Sequence, residues 1–286
     1  MAEIAAALVM TLRKMSGQGM MDCKKALEET GGDLEESMAV LRKKGLATLA
    51  KRAGRETSEG RVVCGKSDDG KTVAMATLCC ETDFVSKSDD FVAAADILAE
   101  CTLLADADAG ADVLLNTKYK GRKFSEILTD MVSKTGEKTE VGDYVRYKIG
   151  GCGVIGTYVH FNNKLGAMVE IETSGNSVSC ALATTAIDIA MHVTAINPVG
   201  IDAAGIAPAI IEKERAIAAE QVKNKPANII GKIVDGKIAK FFKDNCLVDQ
   251  SFVKDDSRTV GQALADAAKA AGGKAKIKRF VRLEIG

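Results

Sequence analysis

Gly60-Arg61-Val62-Val63-Cys64-Gly65-Lys66-Ser67-Asp68-Asp69-Gly70-Lys71-Thr72-Val73-Ala74-Met75 supports two readings, and the choice between them decides the fold. Residues 65–72 fit the P-loop pattern GxxxxGK[ST] letter for letter. A P-loop, however, needs a helix directly behind it, so that backbone amides at the helix start can meet phosphate. Here the next residues are Val73-Ala74-Met75-Ala76-Thr77, a β-type run, and Asp68 and Asp69 would repel phosphate. The better reading is a β-hairpin closed by an Asp-Gly turn. The same spacing and content return at residues 153–168: strand, polar turn, strand. Each copy is followed by a polar stretch and then a helical run, residues 91–99 in the first and 182–190 in the second. The core is therefore expected to be two related α+β subdomains, each a small antiparallel sheet with helices on one side.

A second misleading motif lies at the start of the second copy. Gly151-Cys152-Gly153-Val154-Ile155-Gly156 fits the dinucleotide fingerprint, but Thr157-Tyr158-Val159 continues it as a strand rather than a helix. No nucleotide is expected there. A pairing of Cys152 with His160 for nucleophilic catalysis lacks any marked base, orienting group or oxyanion hole. No cofactor, metal or enzymatic chemistry is expected.

Composition narrows the function further. Lys+Arg and Asp+Glu stand at 39 each in 286 residues, which argues against a chain that lives on bulk nucleic acid. Aromatic residues make up 4%, with no Trp, so base stacking is not the main business of the surface. The eight cysteines form no C-x-x-C pair and sit in apolar context, which reads as buried, reduced thiols. Two histidines are too few for a zinc site. No apolar run is long enough to span a bilayer, and Met1-Ala2-Glu3-Ile4 does not open a secretory leader. A cytoplasmic protein is expected.

The pattern along the chain predicts three short helices first. Ile4, Leu8, Leu12 and Met15 share one face; Gly31-Gly32 ends the second helix; Asp33 and Glu36 open the third, which ends near Gly45 and continues as a basic helical tail. The expected division is a bundle over 1–55, a first core subdomain over 56–140 and a second over 141–286. Residues 105–123 read as loop. Asp89 or Asp90 is the expected cap of the helix behind the first hairpin. Within the second subdomain, Pro208 starts an inserted pair of helices over about 205–246, whose narrow apolar stripes favour an antiparallel hairpin over ordinary core helices. Glu212, Glu214 and Glu220 lie on its first arm while Lys232, Lys237, Lys240 and Lys243 dominate the second, which favours antiparallel pairing, although Lys213 and Arg215 dilute the bias. Near the end of the chain, Phe252-Val253 precedes a helix from Thr259 and a basic strand over 274–285.

Between the first hairpin and its helix stands Cys79-Cys80-Glu81-Thr82-Asp83-Phe84-Val85-Ser86-Lys87, a strand-to-helix corner. On residue type alone Phe84 is either an interior side chain or a probe for a partner, and Asp83 either a helix cap or a contact. Met20-Met21 poses a similar choice, because two consecutive methionines at a helix entry cannot both face one small core. Four motifs taken together, in order, resemble the elongation factor Ts family along essentially the whole chain. They are Gly19-Met20-Met21-Asp22-Cys23-Lys24-Lys25-Ala26-Leu27, Cys80-Glu81-Thr82-Asp83-Phe84-Val85, Ala190-Met191-His192-Val193 and Thr259-Val260-Gly261-Gln262. The resemblance implies an N-terminal bundle of the ubiquitin-associated type and a guanine-nucleotide exchange factor for elongation factor Tu. It implies that the corner (Thr82, Asp83, Phe84, Val85) intrudes near the Mg²⁺ and phosphate site of that GTPase. It further implies contacts through Met20 and Met21, through His160 and through Phe252-Val253. Lys254 departs from the family, whose best-known members carry an apolar residue there. The alternative is an RNA- or protein-binding adaptor, suggested by the basic last strand and the small bundle.

Overall fold

The residues that mimic a P-loop close a hairpin. The Ser67 amide donates to the Thr72 carbonyl (2.9 Å) and the Gly70 amide to the Ser67 carbonyl (2.8 Å), with Gly70 at φ 66°. Asp69 Oδ1 accepts from both the Ser67 hydroxyl and the Lys71 amide (2.7 and 3.0 Å), so the carboxylate serves the turn itself. The computed structural model describes residues 4–174, 178–270 and 272–286. Met1-Ala2-Glu3, read above as opening no secretory leader, residues 175–177 and residue 271 lie outside them.

The chain opens with α1 (Ala6–Ser16), α2 (Met20–Glu29) and α3 (Leu34–Lys51). They close on Val9, Leu12, Cys23, Ala26, Leu27 and Leu41. Met15, expected inside, is exposed; Val9 takes the inward position. Asp33 caps α3 by accepting from the Glu36 amide (2.8 Å), as its spacing predicts. Gly45 does not end that helix. A Cβ there would lie 2.9 Å from the Ser133 side chain, so glycine is the point where α3 passes close against a core helix.

The core continues with β1 (Glu59–Lys66), β2 (Thr72–Cys80), the single turn α4 (Asp83–Ser86) and α5 (Asp89–Leu104). Ser88, not Asp89 or Asp90, caps α5, accepting from the Phe91 amide. Residues 105–123, read as loop, contain α6 (Ala111–Asn116) and a ribbon of β3 (Lys118–Tyr119) and β4 (Arg122–Lys123), anchored by fully buried Leu114. Then come α7 (Phe124–Thr135), β5 (Thr139–Lys148), β6 (Gly153–Val159), β7 (Leu165–Thr173) and α8 (Cys180–Ile196). The inserted arms are α9 (Pro208–Gln221) and α10 (Ala227–Asn245); the chain finishes with β8 (Ser251–Phe252), β9 (Asp255–Thr259), α11 (Val260–Ala270) and β10 (Ala275–Glu284).

Among the described residues two three-stranded antiparallel sheets result, in the orders β1-β2-β5 and β10-β7-β6, beside the two-stranded ribbons β3-β4 and β8-β9. The architecture is α+β. One expectation needs correction: β5 falls almost wholly within 141–286, yet it pairs with β2 (Met75↔Val145, Ala76↔Tyr144) and completes the first sheet. The third strand of the second sheet is instead β10, beside β7 (Val281↔Met168). The repeat is thus more complete than the hairpins alone suggest. Each half is a hairpin, a helical excursion and a returning strand that pairs with the second strand of its hairpin.

The sheets face one another across Val62, Val73, Met75, Ile155, Met168 and Leu283. Helices α5 and α7 cover the outer side of the first sheet, and α8 and α11 that of the second. Gly156, the last glycine of the apparent dinucleotide motif, lets α8 cross β6 closely, since a Cβ there would lie 2.1 Å from the Ala186 carbonyl oxygen. The arms α9 and α10 share a separate apolar seam built on Ala218, Val222, Val234 and Ile238. Their cross-arm ion pair, Arg215–Asp235 (2.8 Å), has the opposite polarity to the one expected from the acidic and basic arms.

Candidate functional site

The end of β2 is tied down before it turns. The Thr82 hydroxyl donates to Glu137 Oε1 (2.8 Å) and the Thr82 amide to Glu137 Oε2 (3.1 Å). The same hydroxyl caps α4 by accepting from the Val85 amide (3.4 Å). Thr82, not Asp83, is therefore the cap, which leaves the Asp83 carboxylate free to point outward. The Cys80 thiol donates to the Thr82 carbonyl (3.2 Å); burial, with Glu137 nearby, pushes that thiol up to about 12, so it stays protonated.

With the corner fixed, its side chains separate by role. Val85 is buried in the first core, whereas Phe84 is 83% exposed. The interior reading of Phe84 is overturned. Leaving a phenylalanine in water forgoes about 2 kcal/mol of burial. Asp83 pairs with Lys87 at 2.7 Å in solvent, and the hydrogen bond from that ammonium holds its carboxyl below the ordinary range.

The second hairpin brings another aromatic to the same place. His160 directly follows β6, with Nδ1 3.1 Å from the Tyr158 hydroxyl and its ring centroid 4.4 Å from that of Phe161. Phe161 is 87% exposed. Its turn is pinned to the first sheet: the Val62 amide donates to the Asn163 carbonyl (2.6 Å), and Lys164 pairs with Glu59 (2.7 Å). Arg61, Asp83, Lys87, Phe161, Asn162 and Lys164 consequently line one groove of about 610 Å³. Phe161 was missed in the sequence. The signal was there, a large apolar residue followed by two asparagines in a turn, where no core can receive it.

The remaining residues lie elsewhere. Met20 and Met21 open α2 and are both exposed (38% and 64%), so neither is the core residue expected of one of them. Phe252 and Val253 part company. Phe252 is 3% exposed, tilted against the His192 ring in the second core, and cannot touch a partner in this structure; Val253 is 47% exposed. The ribbon that carries them is held by buried His192, whose Nδ1 accepts from the Val253 amide (3.2 Å). Nε2 therefore carries the proton and donates to Gln250 Oε1 (2.9 Å). Burial lowers the His192 pKa, against the Gln250 hydrogen bond. Lys254, the departure from the family pattern, pairs with Asp188 (3.3 Å). Among the described residues no group of three or more His, Cys, Asp or Glu side chains could hold a metal ion, and no helix is long and apolar enough to cross a membrane.

Residues 81–286 match the family model described as Elongation factor TS, starting within the corner itself. The chain belongs to the elongation factor Ts family. Similar members extend across its length. Elongation factor Ts of Desulfovibrio desulfuricans is 41% identical over 292 aligned positions, covering 100% of this chain and 99% of the relative. That of Nitratiruptor sp. is 40% identical, covering 99% and 93%, and that of Clostridium botulinum 39%, with the same coverage. Elongation factor Ts membership assigns the chain to translation elongation. In this fold the two glycine-rich motifs are a hairpin turn and a close helix crossing.

Proposed function

We propose that this chain is a guanine-nucleotide exchange factor for elongation factor Tu and acts by protein–protein contact, without chemistry of its own. The observation that carries the reading is Phe84, 83% exposed on a corner whose neighbours on both sides are fixed. A rigid aromatic on a capped turn can enter a cleft between helices with little loss of conformational entropy. Asp83, beside it, would disturb the polar groups around the bound Mg²⁺ and phosphate. Thr82 and Val85 hold the corner from within. His160 and Phe161, Met20 and Met21, and Val253 supply further contacts, while Phe252 supports Val253 from the core.

The thermodynamics follow from linkage. A partner that binds the nucleotide-free, metal-distorted GTPase more tightly must weaken its nucleotide affinity by the same factor. The exchange factor itself needs no nucleotide, metal or covalent intermediate. The adaptor reading loses support from the basic strand. Lys276 pairs with Glu172, Lys278 and Arg279 with Glu170, and Arg282 with Glu284, so little free positive charge is left for a phosphate backbone.

Release of a fluorescent GDP from elongation factor Tu tests the proposal. The unsubstituted protein should accelerate release. Asp83→Ala with Phe84→Ala should slow the saturating rate about tenfold or more, the loss of an anchoring side chain, and weaken binding less. No acceleration at saturating concentration sinks the function; unchanged kinetics in the double variant sinks the role of the corner.

A further inference from the structure

Glu81 lies between the end of β2 and the cap of α4, and its side chain is only 11% exposed. A carboxylate so placed must be matched by donors. Arg52 Nη1 donates to both of its oxygens (2.8 and 2.9 Å), the Lys138 amide donates to Oε1 (2.7 Å), and Arg55 Nη1 stands 3.6 Å from Oε2. Arg52 and Arg55 belong to the turn in which the chain leaves α3 for the core. The Lys138 ammonium in turn donates to the Arg55 carbonyl (3.0 Å). The exit of the bundle, the approach to β5 and the display corner are therefore joined in a single knot.

The knot is more than the fold requires to dock the bundle. Helix α3 already rests on α7, with the Ser133 hydroxyl donating to the Leu41 carbonyl (3.0 Å). What the knot reaches instead is α4, four residues long, which starts two residues after Glu81; buried Val85 and the Arg61 bond to the Ser86 carbonyl hold its body, and residues 81 and 82 hold its entry.

We propose that Glu81 is a positioning residue that ties the bundle's exit to the corner through Arg52, so that Met20-Met21 and Asp83-Phe84 meet the partner as one rigid body. This rests on the exchange function proposed above. Two contacts on a rigid body reinforce each other, because docking the first places the second without a further ordering cost. Two contacts joined by a loose linker lose that advantage. The bundle then still binds, but the corner enters its cleft less often.

Glu81→Gln keeps the size and the acceptor oxygen and removes the charge that holds Arg52. In the GDP-release assay it should lower the saturating rate about tenfold, the scale of one lost charged hydrogen bond, with less than about twofold change in the half-saturating concentration. Arg52→Ala should do the same, and the double variant should be no worse than either single one. Arg52→Lys, which keeps a charged donor, should stay close to the unsubstituted rate. A residue with only a structural role would lower the melting temperature and the active fraction, and leave the saturating rate of the folded protein unchanged. If the unsubstituted protein accelerates release and Phe84→Ala slows it, an unchanged saturating rate in Glu81→Gln, or losses that multiply in the double variant, overturns this inference alone. No acceleration by the unsubstituted protein overturns both proposals.

Discussion

Phe252 and Val253 are neighbours in a motif with opposite fates, and the reason is His192. Its ring is fully buried, bonded on one side to the Val253 amide and on the other to Gln250. Phe252 packs against that ring, and Val253 is left outside as the ribbon turns. Adjacency in a motif carries no information about which face a residue occupies; that depends on a histidine sixty residues earlier. The same histidine makes stability depend on pH. Its folded pKa is depressed by burial, while the unfolded chain protonates near pH 6.5. Below that value the unfolded state binds more protons, so the stabilisation is fully present above about pH 6.5 and is lost as pH falls towards the folded pKa. The slope is at most about 1.4 kcal/mol per pH unit. Melting temperatures between about pH 7 and 5.5 should fall in the unsubstituted protein, and fall less steeply in His192→Gln. Equal slopes would show that His192 does not titrate with unfolding.

At the scale of elements, the sequence was most legible where one element announces itself. The hairpins, the capped start of α3 and the paired arms were all readable from turn residues and apolar periodicity. What could not be read was partnership. Nothing within β5 says that it returns to β2, because pairing is a property of two strands and of what lies between them. Gly45 shows the same limit: as a letter it is a stop signal, but in place it is a close approach to α7. The start of the stretch 105–123 resembles loop because its order is imposed from outside by Arg146 of β5, whose side chain is 4% exposed. Its guanidinium donates to the Ala105 carbonyl (2.7 Å), the Leu103 carbonyl (3.2 Å) and the Asp108 carboxylate (2.7 Å). The carbonyls matter more than the ion pair, since Asp108 is more than half exposed and its attraction is screened. Arg146→Ala should therefore cost about 3 kcal/mol and lower the melting temperature by about 5–10 °C. Asp108→Asn should cost less than about 1 kcal/mol. Equal losses in chemical denaturation would mean that the ion pair, not the buried carbonyls, orders this stretch.

For the molecule as a whole, the question is why two subdomains with separate sheets should move as one, as the convergence of Asp83 and Phe161 on one groove requires. The two sheets share an apolar interface. Met75 and Val73 of the first meet Met168, Ile155 and Leu283 of the second, and Met75 and Met168 are fully buried. A polar bridge closes one side. Arg279 lies over the Tyr147 ring at 3.9 Å and pairs with buried Glu170 at 2.6 Å, placed there by a bulge in β10 after Ile277. Neither half can open without exposing this layer, so they should unfold together. Met168→Ala removes side-chain atoms from the middle of the interface and should cost about 2–4 kcal/mol through lost burial and the cavity left behind. The decisive readout is the shape of the transition. Calorimetry of the unsubstituted core should give one cooperative peak, and the substitution should move that peak as a unit. The β10 bridge does not depend on methionine, so the halves remain latched while the shared layer weakens. Two resolved peaks in the unsubstituted protein would mean that the groove is assembled from independently moving halves, and that the partner, rather than the interface, brings Asp83 and Phe161 together.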